Sequence, residues 1–325
     1  MTVKEREAIL QAAPVAESPA DVPPADRLLE IDPPAFRDNY LRRPFLIRHH
    51  VARHRLFTLP RLIELSQRLP VEYVEYNAGD IPISIEARLT PQNGLSIQET
   101  IRRIEENRSW MVLKRVEQDP EYNELLNQCL DEIGPYAEEL GPAHRMHSRA
   151  GAIFISSPGS ITPYHMDHET NFLLQIRGTK FLNVFDPTDR SLLSEQELES
   201  YFCSTTLDRN LVFRDEFQQK ATVFTLTPGL ALHVPSTAPH WVKNGPEVSI
   251  SFSVAYQTPA SDRVIALYDV NARLRRVGLR PAPPSRSRLR DSLKLGVSSV
   301  MARVRKLFGG RSNKQLNPQR SHDHG

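Results

Sequence analysis

The chain has 325 residues, of which 39% are hydrophobic and 25% charged, as is typical of a globular protein with a sizeable buried core. No run of about 18 apolar residues is present, which argues against a transmembrane segment, and two cysteines are too few for a disulfide framework or a cysteine zinc cluster. Because the N-terminus also lacks the apolar segment of a secretory signal, we expect a cytoplasmic protein.

The formal net charge of +2 conceals a strong asymmetry. Residues 273–325 contain 14 Lys and Arg residues and two acidic residues, a net charge of +12, so the rest of the chain carries −10. A basic tail behind an acidic body predicts contact with an anionic partner, which could be nucleic acid, a membrane surface or the body itself.

For the first 144 residues we predict a flexible N-terminal lead segment followed by an α/β region that elaborates the core. Residues 1–27 are rich in Ala, Pro and acidic residues without apolar periodicity, which predicts a flexible lead. Within residues 28–144, the patterns predict strands at 44–48, 71–76 and 110–116, and helices from Leu59, at 96–106 and at 121–133. Ser96 with Glu99 three residues later has the pattern of a helix-capping box.

The sequence pattern of residues 145–260 is typical of a β barrel. Six short strand-like runs are split by Gly, Pro or Asp turns, at 152–155, 171–177, 180–185, 221–226, 231–234 and 247–256. The tight connection Arg177-Gly178-Thr179 predicts a hairpin between two of them. Since no helix of crossover length intervenes, we predict a mainly β fold with α elaboration, built on an antiparallel barrel or jelly roll.

Residues 261–285 predict a helix and a Pro-rich linker, and residues 286–325 a basic amphipathic tail helix with a flexible end. Apolar residues recur there at three- and four-residue spacing, at Leu293, Val297, Val300, Met301, Val304, Leu307 and Phe308. The favoured interpretation is a helix that packs on the body, or on a second subunit of a homodimer, with its basic face in solvent. Attachment to a membrane surface or a nucleic acid is the alternative.

The most informative block runs from Thr162 to Lys180. In extended backbone His165 and Asp167 point to the same face, and imidazole with carboxylate is two thirds of the facial triad that holds non-haem Fe(II). Barrel closure would have to supply a distant histidine as the third ligand, and His233 and His240 both stand in a later segment. Three ligands on one face leave three adjacent positions open for a bidentate 2-oxo acid and dioxygen.

A His-x-Asp triplet alone is a weak signal, and its neighbours strengthen it. Lys180 lies fifteen residues after His165, where a lone cation could meet a carboxylate, and Thr162 lies three residues before it and adds a hydroxyl donor. A carboxylate clamp beside a metal triad is much less frequent by chance than either feature alone.

The stretch resembles the JmjC and JmjC-like cupin family of Fe(II)- and 2-oxoglutarate-dependent oxygenases, and is most similar to its asparaginyl-hydroxylase-like branch. The resemblance rests on Thr162-Pro-Tyr-His165-Met-Asp167 with Asn171-Phe172, on Gln175-Ile-Arg-Gly178-Thr-Lys180, and on the run from Pro228 to His240. It covers residues 150 to 256, about a third of the chain. It implies a double-stranded β-helix, or cupin jelly roll, as the core over residues 145–260.

Carried over by position, the resemblance implies His165, Asp167 and His240 as iron ligands. It implies that Lys180 and Thr162 bind the distal carboxylate of 2-oxoglutarate and that Asn171 sits beside its metal-chelating end. Two positions depart from the family pattern, namely Ser253, where the branch often has asparagine, and His233, where tyrosine or phenylalanine is usual.

Two alternatives stay open within the triad. His168 competes with Asp167, because His165 and His168 could pair across a helical turn, but the strand-like run that follows favours Asp167. His233 competes with His240, which we prefer because its spacing after Pro228-Gly229 matches the family.

The function that follows is hydroxylation of a C–H bond in a protein side chain or a small molecule, with Fe(II), 2-oxoglutarate as cosubstrate, and dioxygen. A cupin-like metal-binding regulatory or docking protein without turnover, whose basic tail contacts nucleic acid or an anionic surface, is the alternative. Lys180 with Thr162 discriminates between the two, because a module without a cosubstrate needs no carboxylate clamp.

Overall fold

The computed structural model describes residues 27–86, 89–203 and 210–297. Within these ranges the chain forms twelve strands, and every strand pairing is antiparallel. The strands are β1 (Leu29–Glu30), β2 (Phe45–His49), β3 (Val74–Ala78), β4 (Ser109–Lys114), β5 (His147–Ser156), β6 (Ile161–His165), β7 (Thr170–Arg177), β8 (Lys180–Val184), β9 (Thr222–Leu226), β10 (Leu230–Val234), β11 (His240–Asn244) and β12 (Ser249–Gln257).

Helices cover one side of this β structure, and in the chain most of them lie between strands. The α-helices in the described ranges are α1 (Pro33–Asn39), α2 (Leu59–Arg68), α3 (Ile97–Arg102), α4 (Pro120–Glu139), α5 (Glu195–Cys203), α6 (Pro259–Arg276) and α7 (residues 288–297). The N-cap half of the predicted capping box of α3 is present, because the Glu99 N–H donates to Ser96 Oγ at 3.2 Å. None of these helices has the length and apolar character that crossing a bilayer requires.

The strands form two facing sheets within the described residues. One has the order β1-β2-β10-β7-β12-β5-β4-β3 and the other the order β6-β11-β8-β9. From β5 to β12, successive strands are distributed between the two sheets so that they close into a jelly roll, while β1 to β4 extend the larger sheet at both edges. The predicted mainly β fold with α elaboration and a cupin-type jelly-roll core is confirmed.

Apolar side chains fill two layers, one on each face of the larger sheet. The outer layer packs the sheet against the helices and includes Leu62, Leu65, Leu126, Cys129 and Ile133. The inner layer lies between the two sheets and includes Leu173, Leu182, Leu226, Leu232 and Val242. Because side chains alternate along each strand, membership of one layer or the other shows which face a strand residue occupies.

The predicted hairpin at Gly178 is wrong. The strands on either side of it, β7 and β8, belong to different sheets, so the turn is a corner of the barrel. Gly178 has a φ of +68°, and a Cβ at this position would clash with the carbonyl oxygen of Val248, which explains why the corner needs glycine.

Other boundaries also differ from expectation. Residues Val71–Tyr73 form a 3₁₀ turn before β3, α3 ends at Arg102 instead of near residue 106, and α4 continues to Glu139. Strands β6 and β11 were not predicted at all. The predicted flexible lead, apart from residue 27, and the tail beyond residue 297 lie outside the described residues.

Candidate active site

Strands β6 and β11 bring two distant histidines together. His165 is the last residue of β6 and His240 the first residue of β11, and the register pairs them directly. Their ring centroids are 4.1 Å apart. Asp167 follows two residues after the end of β6, and its Oδ2 lies 3.9 Å from His240 Nε2.

One nitrogen or oxygen from each of His165, Asp167 and His240 lies within 4.8 Å of the others. Two donors bound to one ion at about 2.1 Å each can be at most about 4.2 Å apart, so the 3.9 Å separation is already within that span. Among the described residues, this is the one group of three His, Cys, Asp or Glu side chains with such convergence.

Both imidazoles are held so that the same nitrogen faces the group. His165 Nδ1 lies 2.7 Å from the carbonyl oxygen of Pro163, and His240 Nδ1 lies 2.9 Å from that of Ala238. A carbonyl oxygen only accepts, so each Nδ1 carries the hydrogen and each neutral ring keeps its lone pair on Nε2. This carbonyl-oriented tautomer is the one that metal-bound histidines commonly adopt.

The loop before β11 is attached to the segment after β6. The Thr237 N–H donates to the Asp167 carbonyl oxygen at 2.7 Å, and the Ser236 hydroxyl donates to the His168 carbonyl oxygen at 2.9 Å. These bonds fix the position of Asp167 relative to His240, although the two residues are far apart in sequence.

The competing histidines face elsewhere. His168 Nε2 lies 3.1 Å from a Glu169 carboxylate oxygen, and its Nδ1 lies 3.4 Å from the Tyr201 hydroxyl. His233 lies in β10, in strict alternation with Leu232 and Val234 of the inner layer, and therefore points to the outer layer. There its ring stacks on Phe45 at 4.8 Å, and burial lowers its pKa to about 3.

Lys180 begins β8 and is only 3% exposed. Within the described part of the chain, no carboxylate pairs with its Nζ, which lies over the ring of Phe154, 5.4 Å from the centroid. Burial without a counter-ion lowers the pKa of Lys180 to about 7. An anionic ligand would stabilise the charged form of this buried lysine, which has no carboxylate partner among the described residues.

A β-bulge places Thr162 on the same face as the two histidines. Between His240 and Val242 the register of β6 advances from His165 to Thr162, so three steps on β6 oppose two on β11. Thr162 is thus opposite Val242, whose side chain belongs to the inner layer, and Lys180 is opposite Asn244 on the other side of β11. Regular alternation would have put Thr162 and His165 on opposite faces.

Asn171 approaches from the facing sheet. It lies near the start of β7, two residues before Leu173 of the inner layer, and is 7% exposed. Its β neighbours are Val234 and Ala255. The structure therefore brings all six sequence-predicted site residues to the interior between the two sheets or to its rim.

Asn244 was missed by sequence reasoning. It lies beside Lys180 across the strand pair, and its Nδ2 donates to the Ser160 carbonyl oxygen at 3.0 Å, while its buried Oδ1 has no hydrogen-bond partner within the described residues. Period-two alternation from His240 would have found it, had residues 240–244 been recognised as a strand.

The family model of the cupin-like domain matches residues 86–262, more than half of the chain. This chain belongs to the cupin-like domain family. The match spans the whole jelly roll from β5 to β12, and it confirms the family resemblance that was predicted from the block around His165 and Asp167.

Solved structures of an Escherichia coli protein are also similar to this cupin-like chain. The ribosomal oxygenase YcfD matches with 16% identity over 88% of this chain and 68% of that chain, at a TM-score of 0.44. Its complex with cobalt and 2-oxoglutarate matches with 17% identity over 87% and 69%, at 0.46. Its complex with cobalt and succinic acid matches with 15% identity over 88% and 69%, at 0.45.

Proposed function

We propose that this cupin-like protein is an Fe(II)- and 2-oxoglutarate-dependent oxygenase that hydroxylates a C–H bond of a protein side chain or a small molecule. One combination of features carries the proposal. A His165–Asp167–His240 group lies on the same inner sheet face as Lys180, a buried cation without a carboxylate partner in the described residues.

The donor set fits non-haem iron. Two neutral imidazoles and one carboxylate grouped on one side of an ion are typical of Fe(II) sites that keep open positions for other ligands. The carbonyls of Pro163 and Ala238 hold both Nε2 lone pairs available for this purpose. When bound, iron with 2-oxoglutarate and dioxygen supplies the oxidant, and the balanced products are the hydroxylated substrate, succinate and CO₂.

Lys180 and Thr162 are proposed to bind the distal carboxylate of 2-oxoglutarate. The two residues flank β11, about 12 Å apart in backbone position, so both can reach a ligand that lies over Val242. The Lys180 ammonium gives a charge-assisted contact inside a site of low dielectric, and the Thr162 hydroxyl donates a second hydrogen bond. Asn171 is proposed to lie beside the metal-chelating end.

Apolar side chains line part of the interior between the sheets. Leu173, Leu182 and Val242 line the space between the candidate iron ligands and Lys180. An apolar lining strengthens the attraction between the ammonium and a carboxylate, and it protects a reactive oxidant from side reactions.

An anaerobic titration of Fe(II) into the protein with 2-oxoglutarate tests the proposal. The readout is the weak visible band that arises when a 2-oxo acid chelates Fe(II). We expect the band in the wild type, its loss in His165→Ala, and a much higher 2-oxoglutarate requirement in Lys180→Ala. Normal iron binding without any band would contradict the oxygenase and favour the alternative, a metal-binding module without turnover.

A further inference from the structure

Helix α7 packs on the body through polar side chains. Asp291 is 4% exposed and accepts the Ser285 N–H at 2.9 Å. One turn later, Lys294 Nζ donates to Asn271 Oδ1 at 2.8 Å and to the Ala282 carbonyl oxygen at 2.6 Å. The side of the helix that faces the protein is therefore its polar side, which reverses the usual arrangement of an amphipathic helix.

The apolar residues of α7 point away from the body. Leu289 is 85% exposed, Leu293 is 69% exposed and Val297 is 52% exposed. Spaced by four residues, they form one stripe about 12 Å long on the outer side of the helix. Such a continuous apolar surface on a folded protein is typical of an interaction site.

Unpaired cations accompany the stripe. Arg286, Arg288 and Arg290 are exposed, and no carboxylate within the described ranges pairs with any of them. In sequence, apolar residues continue at the same spacing beyond the described part, together with further basic residues, at Val300, Met301, Arg303, Val304, Arg305, Lys306, Leu307 and Phe308.

We propose that this outward stripe docks on the surface of an anionic lipid bilayer. An apolar face flanked by arginines fits the boundary between acyl chains and negatively charged headgroups. There the apolar residues contact acyl chains and the arginines contact the headgroups. Because Asp291 is buried and Lys294 is bonded to Asn271 of α6, the stripe stays available while the domain remains folded beneath it. The protein would thus lie on the membrane without crossing it.

Two other occupants fit less well. A second copy of the chain would place the same arginines opposite one another, and like charges destabilise such a contact. A nucleic acid would be held through phosphates by the arginines, but exposed leucines would gain nothing, and the described stripe contains no aromatic residue for base stacking.

The test is sedimentation of the full-length protein with vesicles of phosphatidylcholine alone, or of phosphatidylcholine mixed with phosphatidylglycerol. We expect the wild type to sediment with the mixed vesicles, and less of it to do so at high salt. With neutral vesicles, most of the protein should stay in the supernatant. Leu289→Asp/Leu293→Asp should lower the partition coefficient at least about tenfold, since two apolar anchors are lost. Replacement of Arg288 and Arg290 by Gln should lower it as well.

Val71→Asp is the matched control, because Val71 is 72% exposed on the body, close to the value for Leu293. It should bind vesicles like the wild type, and thermal melting should show all variants folded. Equal binding of the double-aspartate variant, equal binding to neutral vesicles, or no binding at all would overturn the proposal. So would a leucine-dependent dimer in solution, or RNA binding that the leucine substitutions leave intact with no vesicle binding.

Discussion

His165 on β6 and His240 on β11 are direct cross-strand partners, with their imidazole centroids 4.1 Å apart. Since each Nδ1–H is bonded to a backbone carbonyl, two lone pairs converge on one side beside the Asp167 carboxylate. Two nitrogen lone pairs and a carboxylate repel one another at this distance, and a cation bound between them would stabilise the arrangement.

The first prediction concerns metal affinity. His165→Ala and His240→Ala should each weaken Co(II) binding at least about tenfold, because a metal-bound site loses a direct ligand. Titration calorimetry measures the affinity, and the metal-induced rise in melting temperature gives an independent readout. His168→Ala is the control, since both of its ring nitrogens contact protein groups. If His168→Ala lost as much affinity as His240→Ala, the assigned triad would be wrong.

The second prediction is that Lys180→Met separates stability from ligand binding. Loss of an uncompensated buried ammonium should raise the free energy of unfolding at pH 7 by about 1–4 kcal/mol, while 2-oxoglutarate binding is abolished. Denaturant unfolding of both proteins without ligand checks the first part. The native pKa of Lys180 is about 7, below the unfolded value of 10.5, so the wild type should gain stability between those pH values. A variant that is less stable at pH 7 would contradict this account.

The third prediction is the pH dependence of cosubstrate affinity. Only the protonated Lys180 attracts a carboxylate, so the affinity of the Co(II)-loaded protein for 2-oxoglutarate should fall about tenfold per pH unit above pH 7. Calorimetry in a pH series measures it. In Lys180→Arg the side chain stays charged, and any remaining affinity should be independent of pH over this range. A flat wild-type profile up to pH 9 would exclude Lys180 as the titrating group.

The fourth prediction concerns acid stability and His233. Burial lowers its pKa to about 3, so as the pH falls below 6.5 the unfolded chain takes up a proton that the native chain does not. This difference should remove about 2 kcal/mol of stability between pH 8 and pH 5. His233→Phe keeps an aromatic ring against Phe45 and should flatten that part of the profile. The remaining slope should come in part from His49, whose pKa burial lowers to about 4. An unchanged slope in His233→Phe would contradict the prediction.

The fifth prediction concerns the barrel corner. Gly178→Ala should destabilise the protein by more than about 2 kcal/mol, because the new methyl group meets the Val248 carbonyl oxygen in addition to the strain of a positive φ. Gly94→Ala is the matched control, with a φ of +73° and no atom within 4 Å of the added Cβ, and should cost only about 1 kcal/mol. Equal losses in urea unfolding would mean that the corner contact is unimportant.

Much of the jelly roll could be predicted because its longer strands alternate clearly. Strands β6 and β11 could not, although they carry the candidate ligands His165 and His240. Pro163 interrupts the first with a residue that normally argues against a strand, and Pro239 directly precedes the second. β8 and β9 are equally short strands of the same sheet, but no proline lies in β8 or β9 or directly before them, and both were predicted.

The residues of the candidate site were proposed from their chemistry and, for His240 and Asn171, from the family resemblance, but their geometry was not predicted. Nothing local in the sequence reveals the bulge that turns Thr162 toward the interior, because it depends on the register with Val242. The corner at Gly178 was taken for a hairpin because a tight turn is local, whereas sheet membership is decided by distant partners. The orientation of α7 likewise depends on contacts of Asp291 and Lys294 that no helical pattern specifies.

The bond from the Thr237 N–H to the Asp167 carbonyl oxygen has a consequence for metal binding at the candidate site. An unfolded chain keeps His165 and Asp167 close together, but His240 joins them only when the barrel closes and β11 pairs with β6. If the proposed site binds a metal, all three ligands are available only after the barrel has folded, and an open barrel offers an ion only His165 and Asp167. Assembly order would therefore protect the centre from being filled before its geometry can select the metal.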